Sequence, residues 1–394
     1  MKYACLLFIL FWLQSCYSNE EKLYKIDPGN INESKILLSE IADDMTYIPL
    51  DNSIPFTYFK YFITVDYIYI SAKGIGVLKF DRNGRLINKI GNNGRGPGQF
   101  SLGMEFSVDE NSGNVYVLDP RKIIVYSGSG RFVRDISYVD YFNSHSTPAD
   151  IEIYNSLLFL PDGLMEGNSK FAWVFLDTLG NPVSKKRNSV PAFNNTARPG
   201  SIYQFENKIF YFNYFNDTIF SISPDLSDKG LYLFAQGDFR WPRSRLETTS
   251  PEKFYTQLSN IFQPVKMFET SNFIIIRYYY QGNAITSLID KETKKIFTVH
   301  NYDEEQGIRV KSGSGIINDL DGGLSLWLIN YYSENSDEYF TTLINPFDLK
   351  VHIASDEFKK SNPLYPEKKK ELERLANSLK ETDNPVLVLV RLKK

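Results

Sequence analysis

The sequence predicts an all-β protein: a six-bladed β-propeller with four-stranded blades and one C-terminal helix. Short segments that alternate apolar and polar residues, bounded by Gly, Asn, Asp and Pro, recur from residue 45 to residue 353, and this period is typical of strands. Four such segments form a unit that recurs at roughly 40 to 50 residues, as propeller blades do. Aromatic residues make up 15% of the chain, which supplies a large β-rich core.

The N-terminus predicts export and lipidation. Lys2 precedes an apolar run at residues 3–13 (YACLLFILFWL), which matches a signal-peptide core and is shorter than the roughly 20 residues that span a bilayer. The following Leu13-Gln14-Ser15-Cys16 resembles a bacterial lipobox, whose cysteine becomes the lipidated N-terminus. The alternatives are an ordinary cleaved signal peptide and an N-terminal membrane anchor.

The chain therefore divides into a signal peptide at residues 1–15, a lipid-anchored tether at 16–40 and a propeller at 41–394. The expected location is the outer membrane, on its periplasmic or cell-surface side, with the membrane as a partner through the lipid. The other cysteine, Cys5, lies in the segment that is removed, so no disulfide is expected. A formal net charge of −3 gives no basic footprint for nucleic acid.

The first blade is the clearest unit, with strands FKYFITV (59–65), YIYISA (67–72), VLKFD (77–81) and LINKIG (86–91). The next four blades repeat the plan, and their first strands begin near residues 104, 151, 202 and 265. The sixth blade is predicted to open with GIINDLDGG (315–323), LSLWLIN (324–330) and YFTTLIN (339–345). Each blade has apolar faces that it cannot cover alone, so neighbouring blades must stack and the ring must close.

Two strands outside this count are predicted to close the ring by completing the sixth blade, in an order that the sequence leaves open. They are MTYIPL at residues 45–50 and PVLVLVRL at residues 385–392. The helix is predicted at about 366–380, because Leu372, Leu375, Ala376 and Leu379 form one apolar stripe. We expect it to cap a face of the ring; binding a partner is the alternative.

Three passages resemble the NHL-like six-bladed β-propeller lipoproteins of Gram-negative, gut-type bacteria. They are FDRNGRLINKIGNNGRGPGQF (80–100) with the following VYVLD, FNDTIF (215–220) and DNPVLVLVRLK (383–393). The resemblance covers nearly the whole mature chain and implies the fold. It implies little about function, because one fold hosts many activities.

The glycine-rich segment at residues 91–100 (GNNGRGPGQF) is interpreted as a structural loop. A phosphate-binding loop would end in Lys-Ser or Lys-Thr and lead into a helix, and this segment does neither. Gly94, Gly96 and Gly98 are expected to take positive φ where blade 1 crosses to blade 2. Pro97 would fix the crossing beside Arg95.

Sequence motifs for chemistry are sparse. The three histidines, His145, His300 and His352, lack a second histidine or a cysteine at metal-ligand spacing, and no Gly-x-Ser-x-Gly motif is present. No catalytic residue, metal or cofactor is therefore assigned. The long connection after the fourth blade, residues 237–260, is predicted to form part of a ligand-binding rim; the alternative is that Trp241 packs down and its neighbouring arginines are solvated. The candidate residues of this rim suit a planar or anionic ligand, and they are Arg240, Trp241, Arg243 and Arg245.

The leading hypothesis is a binding or protein-interaction module whose partner is a glycan, a peptide or an envelope protein. The alternative is an extracellular hydrolase or lyase that acts on glycan or peptide at the propeller axis. At least three converging carboxylates, or His300 with carboxylates, would favour the enzyme. A third hypothesis, a structural partner in an outer-membrane complex, predicts an exposed apolar patch.

Overall fold

The structure is a computed structural model, which describes residues 24–26, 34–101, 103, 105–142, 147–163, 169–189, 201–212, 218–234, 261–281, 283–300, 315–327 and 330–394. Within these residues the strands form six sheets, each built on four antiparallel strands, in a six-bladed β-propeller. The predicted fold class is confirmed.

The strands follow the chain from blade to blade, after a first segment with β1 (Tyr24–Ile26), α1 (Leu38–Ile41) and β2 (Ala42–Pro49). Blade 1 has β3 (Tyr58–Ile63), β4 (Tyr67–Ala72), β5 (Gly76–Asp81) and β6 (Leu86–Ile90). Blade 2 has β7 (Phe106–Val108), β8 (Val115–Asp119), β9 (Lys122–Tyr126) and β10 (Phe132–Ser137). Blade 3 has β11 (Glu152–Tyr154), β12 (Leu157–Pro161), β13 (Phe171–Leu176) and β14 (Pro182–Arg187).

The second half of the ring continues the plan. Blade 4 has β15 (Ile202–Phe205), β16 (Lys208–Tyr211), β17 (Thr218–Ile222) and β18 (Asp228–Phe234), with β1 added in parallel to β18. Blade 5 has β19 (Gln263–Glu269), β20 (Phe273–Tyr280), β21 (Asn283–Asp290) and β22 (Ile296–His300). Blade 6 has β23 (Asn330–Glu334), β24 (Asp337–Ile344), β25 (Val386–Leu392) and β2.

Both chain ends close the ring in blade 6. The sheet order is β23-β24-β25-β2, so the C-terminal strand lies inside the sheet and the N-terminal strand forms its outer edge. Leu389 lies opposite Thr341 on one side and Thr46 on the other. The prediction that both terminal strands complete the sixth blade is confirmed, and the structure supplies their order.

The predicted opening of the sixth blade is wrong. Residues 315–323 do not form its first strand, because the innermost strand is β23. Instead, single bridges join Ile316 to Leu326 and Ile317 to Leu37. Between them the chain turns around Asp321, whose Oδ1 accepts hydrogen bonds from the Gly323 N–H and the Asn318 side chain. A polar turn with two glycines competes locally with an extended strand.

Three helices, instead of the single one predicted, lie between β24 and β25. They are α2 (Pro346–Ala354), α3 (Asp356–Lys360) and α4 (Pro366–Ser378), and α4 is the helix that the sequence predicted. Leu372 and Ala376 of α4 pack with Leu349 of α2 and Phe358 of α3. Tyr47 of β2 packs against this cluster, so the helices are attached to blade 6.

The core is divided among the blade interfaces. One cluster joins blade 6 to blade 1, through Leu387 and Ile68. Another joins blades 1 and 2, through Tyr69 and Phe106. Further clusters join the remaining neighbours around the ring. Stability therefore depends on contacts between adjacent blades, as in other repeat folds.

The glycine-rich segment crosses from the outer strand β6 to the inner strand β7, as predicted. The φ of Gly98 is +65° and a Cβ there would meet the Phe132 ring at 2.7 Å. Gly94 has φ +158°, and a Cβ on it would meet Gln99 Oε1 at 2.1 Å. Gly96 does not take the positive φ that we expected. Its N–H donates a hydrogen bond to the Gln99 side chain at 2.8 Å.

Candidate functional site

The six blades meet around an axial cavity of about 350 Å³, to which every blade contributes residues. Most lining residues come from the first strand of a blade, so these strands lie nearest the axis. Its polar lining residues include Lys60, Asp150, Glu152, Gln204, Lys266 and Asn330. Propellers commonly use this central position for ligands. We refer to this space as the axial cavity.

Two lysines reach the axis through local irregularities in the innermost strands. In β3 the pairing register shifts between Tyr58 and Lys60, and in β19 it shifts between Pro264 and Lys266. The described parts of the other four innermost strands pair with their neighbours without a shift. A β-bulge re-aims the following side chains and is frequent beside functional sites. The backbone is thus modified at the two positions that carry an axial ammonium group.

Lys60 is paired with carboxylates from two other blades. Its Nζ lies 2.5 Å from Asp150 Oδ1 and 3.5 Å from Glu105 Oε2. Burial opposes the lysine charge, but the nearby carboxylates outweigh it and raise the pKa of Lys60. The Lys60 side chain is 18% exposed and that of Asp150 22%. The pair therefore faces a wet cavity in the interior of the ring.

The carboxyl groups of Glu105 and Glu152 hold protons more tightly than free carboxyls do. Burial, reinforced by the Asp150 charge, raises the pKa of Glu105 to about 7, against the opposing effect of Lys60. Burial also raises the pKa of Glu152, whose Oε1 accepts a 2.7 Å hydrogen bond from Gln204. Desolvation favours the neutral carboxyl form at both positions.

Lys266 differs from Lys60. Burial lowers the pKa of Lys266, and the Lys60 charge adds to this effect, while the three axial carboxylates oppose it without reversing it. Among the described residues, Lys266 Nζ has no carboxylate within the 4.0 Å of an ion pair. The axial cavity therefore contains one ammonium group that is matched by carboxylates and one that is not.

Aromatic side chains form much of the rest of the wall, and the hydroxyl groups of its tyrosines are already engaged. The Tyr61 hydroxyl hydrogen-bonds the Thr341 hydroxyl at 2.9 Å, and the Tyr203 hydroxyl donates to Glu269 at 2.6 Å. The Tyr331 hydroxyl donates to Glu338 at 2.7 Å. These rings offer the cavity mainly their apolar faces.

A second cavity of about 500 Å³ adjoins the first and shares Gln204, Tyr331 and Ser333 with it. It is formed by the turns that follow the innermost strands of blades 4, 5 and 6. Its carboxylates are Glu206, Glu334, Asp337 and Glu338. The shared residues make this second cavity an acidic entrance to the axial cavity.

The described residues that the sequence singled out do not line the axial cavity. The loop with Gly94, Arg95, Gly96, Pro97 and Gly98 lies on the crossing between blades and does not line the axial cavity. The proposed rim residues Arg240, Trp241, Arg243 and Arg245 lie outside the described residues, as does the lipidation residue Cys16.

The sequence did contain a signal for the axial residues. Lys60, Glu152 and Lys266 each interrupt the apolar first strand of a repeat, in FKYFITV, IEIYN and VKMFET. Because the first strand of a blade is the innermost, charges at this place in several repeats converge on one axis. Comparing the repeats position by position would have revealed the cluster.

No metal centre is apparent in the part of the chain that the structure describes, since no group of three His, Cys, Asp or Glu side chains is suitably arranged. His352 Nε2 lies 2.9 Å from the Gly322 carbonyl oxygen. His145 and the side chain of His300 lie outside the described residues.

Four-stranded blades around a polar axial cavity define the protein as a six-bladed β-propeller with a central pocket. The chain belongs to the family described as "Domain of unknown function (DUF4934)", whose model matches residues 23–391. The search of curated proteins found no match. The described residues include no helix with the length and apolarity needed to cross a membrane.

Solved structures resemble this chain at low sequence identity. The "Putative exported protein" of Bacteroides fragilis NCTC 9343 is 18% identical with a TM-score of 0.64, over 94% of this chain and 99% of that one. A member of the duf4221 family from Bacteroides vulgatus ATCC 8482 is 11% identical with a TM-score of 0.49, over 89% and 97%. Virginiamycin B lyase from Staphylococcus aureus is 11% identical with a TM-score of 0.42, over 86% and 82%.

The raised pKa of Glu105 predicts how stability depends on pH. A carboxyl group whose pKa is higher in the folded protein stabilises it at low pH, and this contribution is lost as the pH rises through the folded value. Burial likewise raises the pKa of Glu152 and Glu110. We expect the Tm to fall between about pH 5 and about pH 8, and to fall less in Glu105→Gln. In thermal melts across this range, the Tm of the exposed control Glu381→Gln should fall as steeply as that of the wild type. Identical Tm profiles for the wild type, Glu105→Gln and Glu381→Gln would contradict the prediction.

Proposed function

We propose that this protein is a binding module of the cell envelope whose axial cavity takes a small polar ligand. The observation that supports it most is the convergence of charged side chains from four blades at one cavity of about 350 Å³. Small-molecule sites are concave and commonly have volumes of roughly 300 to 1,000 Å³. Their polar groups fix the orientation of the ligand, and their apolar walls exclude water.

The mixture of charges supports a binding role. The cluster of Lys60, Glu105, Asp150, Glu152 and Lys266 costs free energy to desolvate, and a packed apolar core would be at least as stable. A propeller axis filled by apolar side chains would close the ring without this cost. A ligand that hydrogen-bonds these groups would offset the cost of desolvating them.

Filling the axial cavity should abolish ligand binding. Gln204 lines both cavities and its side chain is exposed, so Gln204→Trp should block them while the core stays intact. Arg131→Trp, on an exposed turn of blade 2, is the matched control. In a thermal-shift screen of amino acids, short peptides and sugars, followed by calorimetry, we expect a hit whose affinity falls more than about tenfold in Gln204→Trp only.

Two results would refute the axial site. If no compound binds the wild-type protein, the small-ligand function is wrong. If a ligand binds Gln204→Trp as tightly as the wild type, the site lies elsewhere, and the rim predicted at residues 237–260 becomes the candidate. Loss of binding in Trp241→Ala with Arg243→Ala, at an unchanged Tm, would then locate it there.

Export and lipid anchoring are part of the same proposal. The apolar run at residues 3–13 and the lipobox-like Leu13-Gln14-Ser15-Cys16 support them, and a solved structure of the same fold is named as an exported protein. Mass spectrometry of the mature N-terminus should find a lipid on Cys16. An unmodified mature N-terminus at another residue would refute it. A glycan, a peptide or an envelope protein remains the expected partner class.

An axial hydrolase or lyase is the second candidate. Convergence of three carboxylates is the feature expected of an enzyme, and Glu105, Asp150 and Glu152 provide it. A carboxyl group with a pKa near 7 also suits general acid–base catalysis. Binding is favoured because two lysines share the site and Lys60 already pairs with two of the carboxylates. Turnover of a bound glycan or peptide by the wild type, lost in Glu105→Gln while binding persists, would establish the enzyme.

A further inference from the structure

The two axial lysines occupy equivalent places in their blades but different electrostatic environments. Lys60 lies between Asp150 and Glu105, so its charge is balanced within the protein. Lys266 is held at the axis by its own β-bulge, yet no carboxylate of the described residues lies within ion-pair distance of it. A bulge that places an unmatched ammonium group in a cavity serves no evident purpose in folding.

An unmatched ammonium group inside a ring is unfavourable until an anion reaches it. Desolvation exceeds the distant attraction of the axial carboxylates, as the lowered pKa of Lys266 shows. A ligand anion in contact with Nζ would remove this penalty, because charge-assisted hydrogen bonds are among the strongest polar contacts in proteins. Binding of the ligand anion therefore relieves the desolvation cost of the Lys266 ammonium group, and this relief adds to the affinity.

The three carboxylates limit which anions fit. A phosphate dianion would be repelled by Asp150 and Glu152, which line the same cavity, and by Glu105, which lies beside Lys60. The described cavity lining contains no arginine fork for it. A monoanionic carboxylate meets less repulsion. A ligand that also carries an ammonium group would be attracted by Glu152, whose Oε1 is oriented by Gln204.

We propose that Lys266 binds the carboxylate of a zwitterionic ligand, an amino acid or a short peptide, and that Glu152 binds its ammonium group. This inference rests on the proposed binding function and narrows it to one ligand class. The half-buried aromatic rings of Phe62 and Tyr331, which line the same cavity, would contact the side chains of the ligand. The entrance near Glu206 and Glu338 would favour the ammonium end.

The first experiment requires no ligand. Lys266→Met keeps the length of the side chain and removes the unmatched charge, so its Tm should equal or exceed that of the wild type. Lys89→Met, on the exposed edge strand β6, is the control for removing one lysine charge. A Tm several degrees below that of the wild type, with Lys89→Met unchanged, would make Lys266 a structural partner of the carboxylates and overturn the proposal.

The second experiment measures recognition. The probes are the twenty free amino acids and a dipeptide library, screened by thermal shift, with each hit titrated by calorimetry beside its methyl ester and its N-acetyl form. We expect at least one zwitterion to bind, and each blocked form to bind at least tenfold more weakly. Lys266→Met should lose at least tenfold in affinity, Lys266→Arg should retain most of it, and Lys89→Met should match the wild type.

The outcomes separate this proposal from the broader one. If a neutral sugar binds in the axial cavity and Lys266→Met leaves its affinity unchanged, the zwitterion is refuted and the binding function stands. If no amino acid or dipeptide binds, the zwitterion is likewise refuted. If no compound of any class binds, the binding function fails with it.

Discussion

Deleting residues 386–394 should abolish cooperative folding. Those residues include β25, which lies between β24 and β2 in blade 6, and its Val386, Leu387 and Val388 are fully buried. Removing it separates the two chain ends and leaves two strand edges unpaired, and such edges promote aggregation. We expect thermal melting, followed by circular dichroism, to lose its single sharp transition, and gel filtration to show aggregates.

A graded series makes this test quantitative. Leu387→Ala should cost about 2 to 5 kcal/mol of unfolding free energy, since it creates a cavity in a buried strand. Removing only the exposed Lys393 and Lys394 should cost less than about 1 kcal/mol, because surface contacts contribute little. A protein that melts like the wild type without residues 386–394 would show that β25 is dispensable for closure.

Glu269→Ala should produce the second largest loss of stability. Glu269 is 2% exposed and lies at the end of β19, between blades 5 and 4. Its carboxylate accepts hydrogen bonds from the Tyr203 hydroxyl at 2.6 Å and the Tyr232 hydroxyl at 3.2 Å. Lys291 Nζ lies 2.7 Å away. Glu269→Ala removes the acceptor that these three side chains share, at a cost of about 3 kcal/mol.

Urea unfolding of three variants would test this network. Glu269→Ala should lower the unfolding free energy most, and Glu269→Leu with Lys291→Met should recover part of the loss, because the double variant leaves no buried charge. Glu381→Ala, an exposed glutamate, should change it by less than about 0.5 kcal/mol. Equal stability of Glu269→Ala and Glu381→Ala would show that the network does not hold the two blades together.

The strands of the early blades could be predicted closely from the sequence. YIYISA at residues 67–72 coincides with β4 (Tyr67–Ala72), since a strand with tight turns on both sides is specified by its own residues. Blade 6 could not be predicted in this way. Its strands come from residues 330–344 and from both ends of the chain. Strands that are so far apart in the sequence leave no local pattern that reveals their pairing. The segment around Asp321 therefore resembles a first strand although it forms a turn.

The candidate site, too, could be predicted only in part from the sequence. The sequence places Lys60, Glu105, Glu152 and Lys266 at or beside the start of separate repeats, but their spacing gives no distance between them. The sequence therefore gives no sign that several of these charges lie at one cavity. The bulges that turn the two lysines toward the axis are also tertiary features, because they depend on how each strand pairs with its neighbour.

The amino-acid sequence by itself determined the fold class, the number of blades, most strand boundaries and the helix α4, because alternation, turn residues and apolar stripes act over a few neighbouring residues. Only the tertiary structure decided the order of the terminal strands in blade 6, the pairing of Lys60 with Asp150 and Glu105, and the isolation of Lys266. Those features arise when the closed ring brings separate repeats to one axis, where burial and neighbouring charges change the chemistry of each side chain.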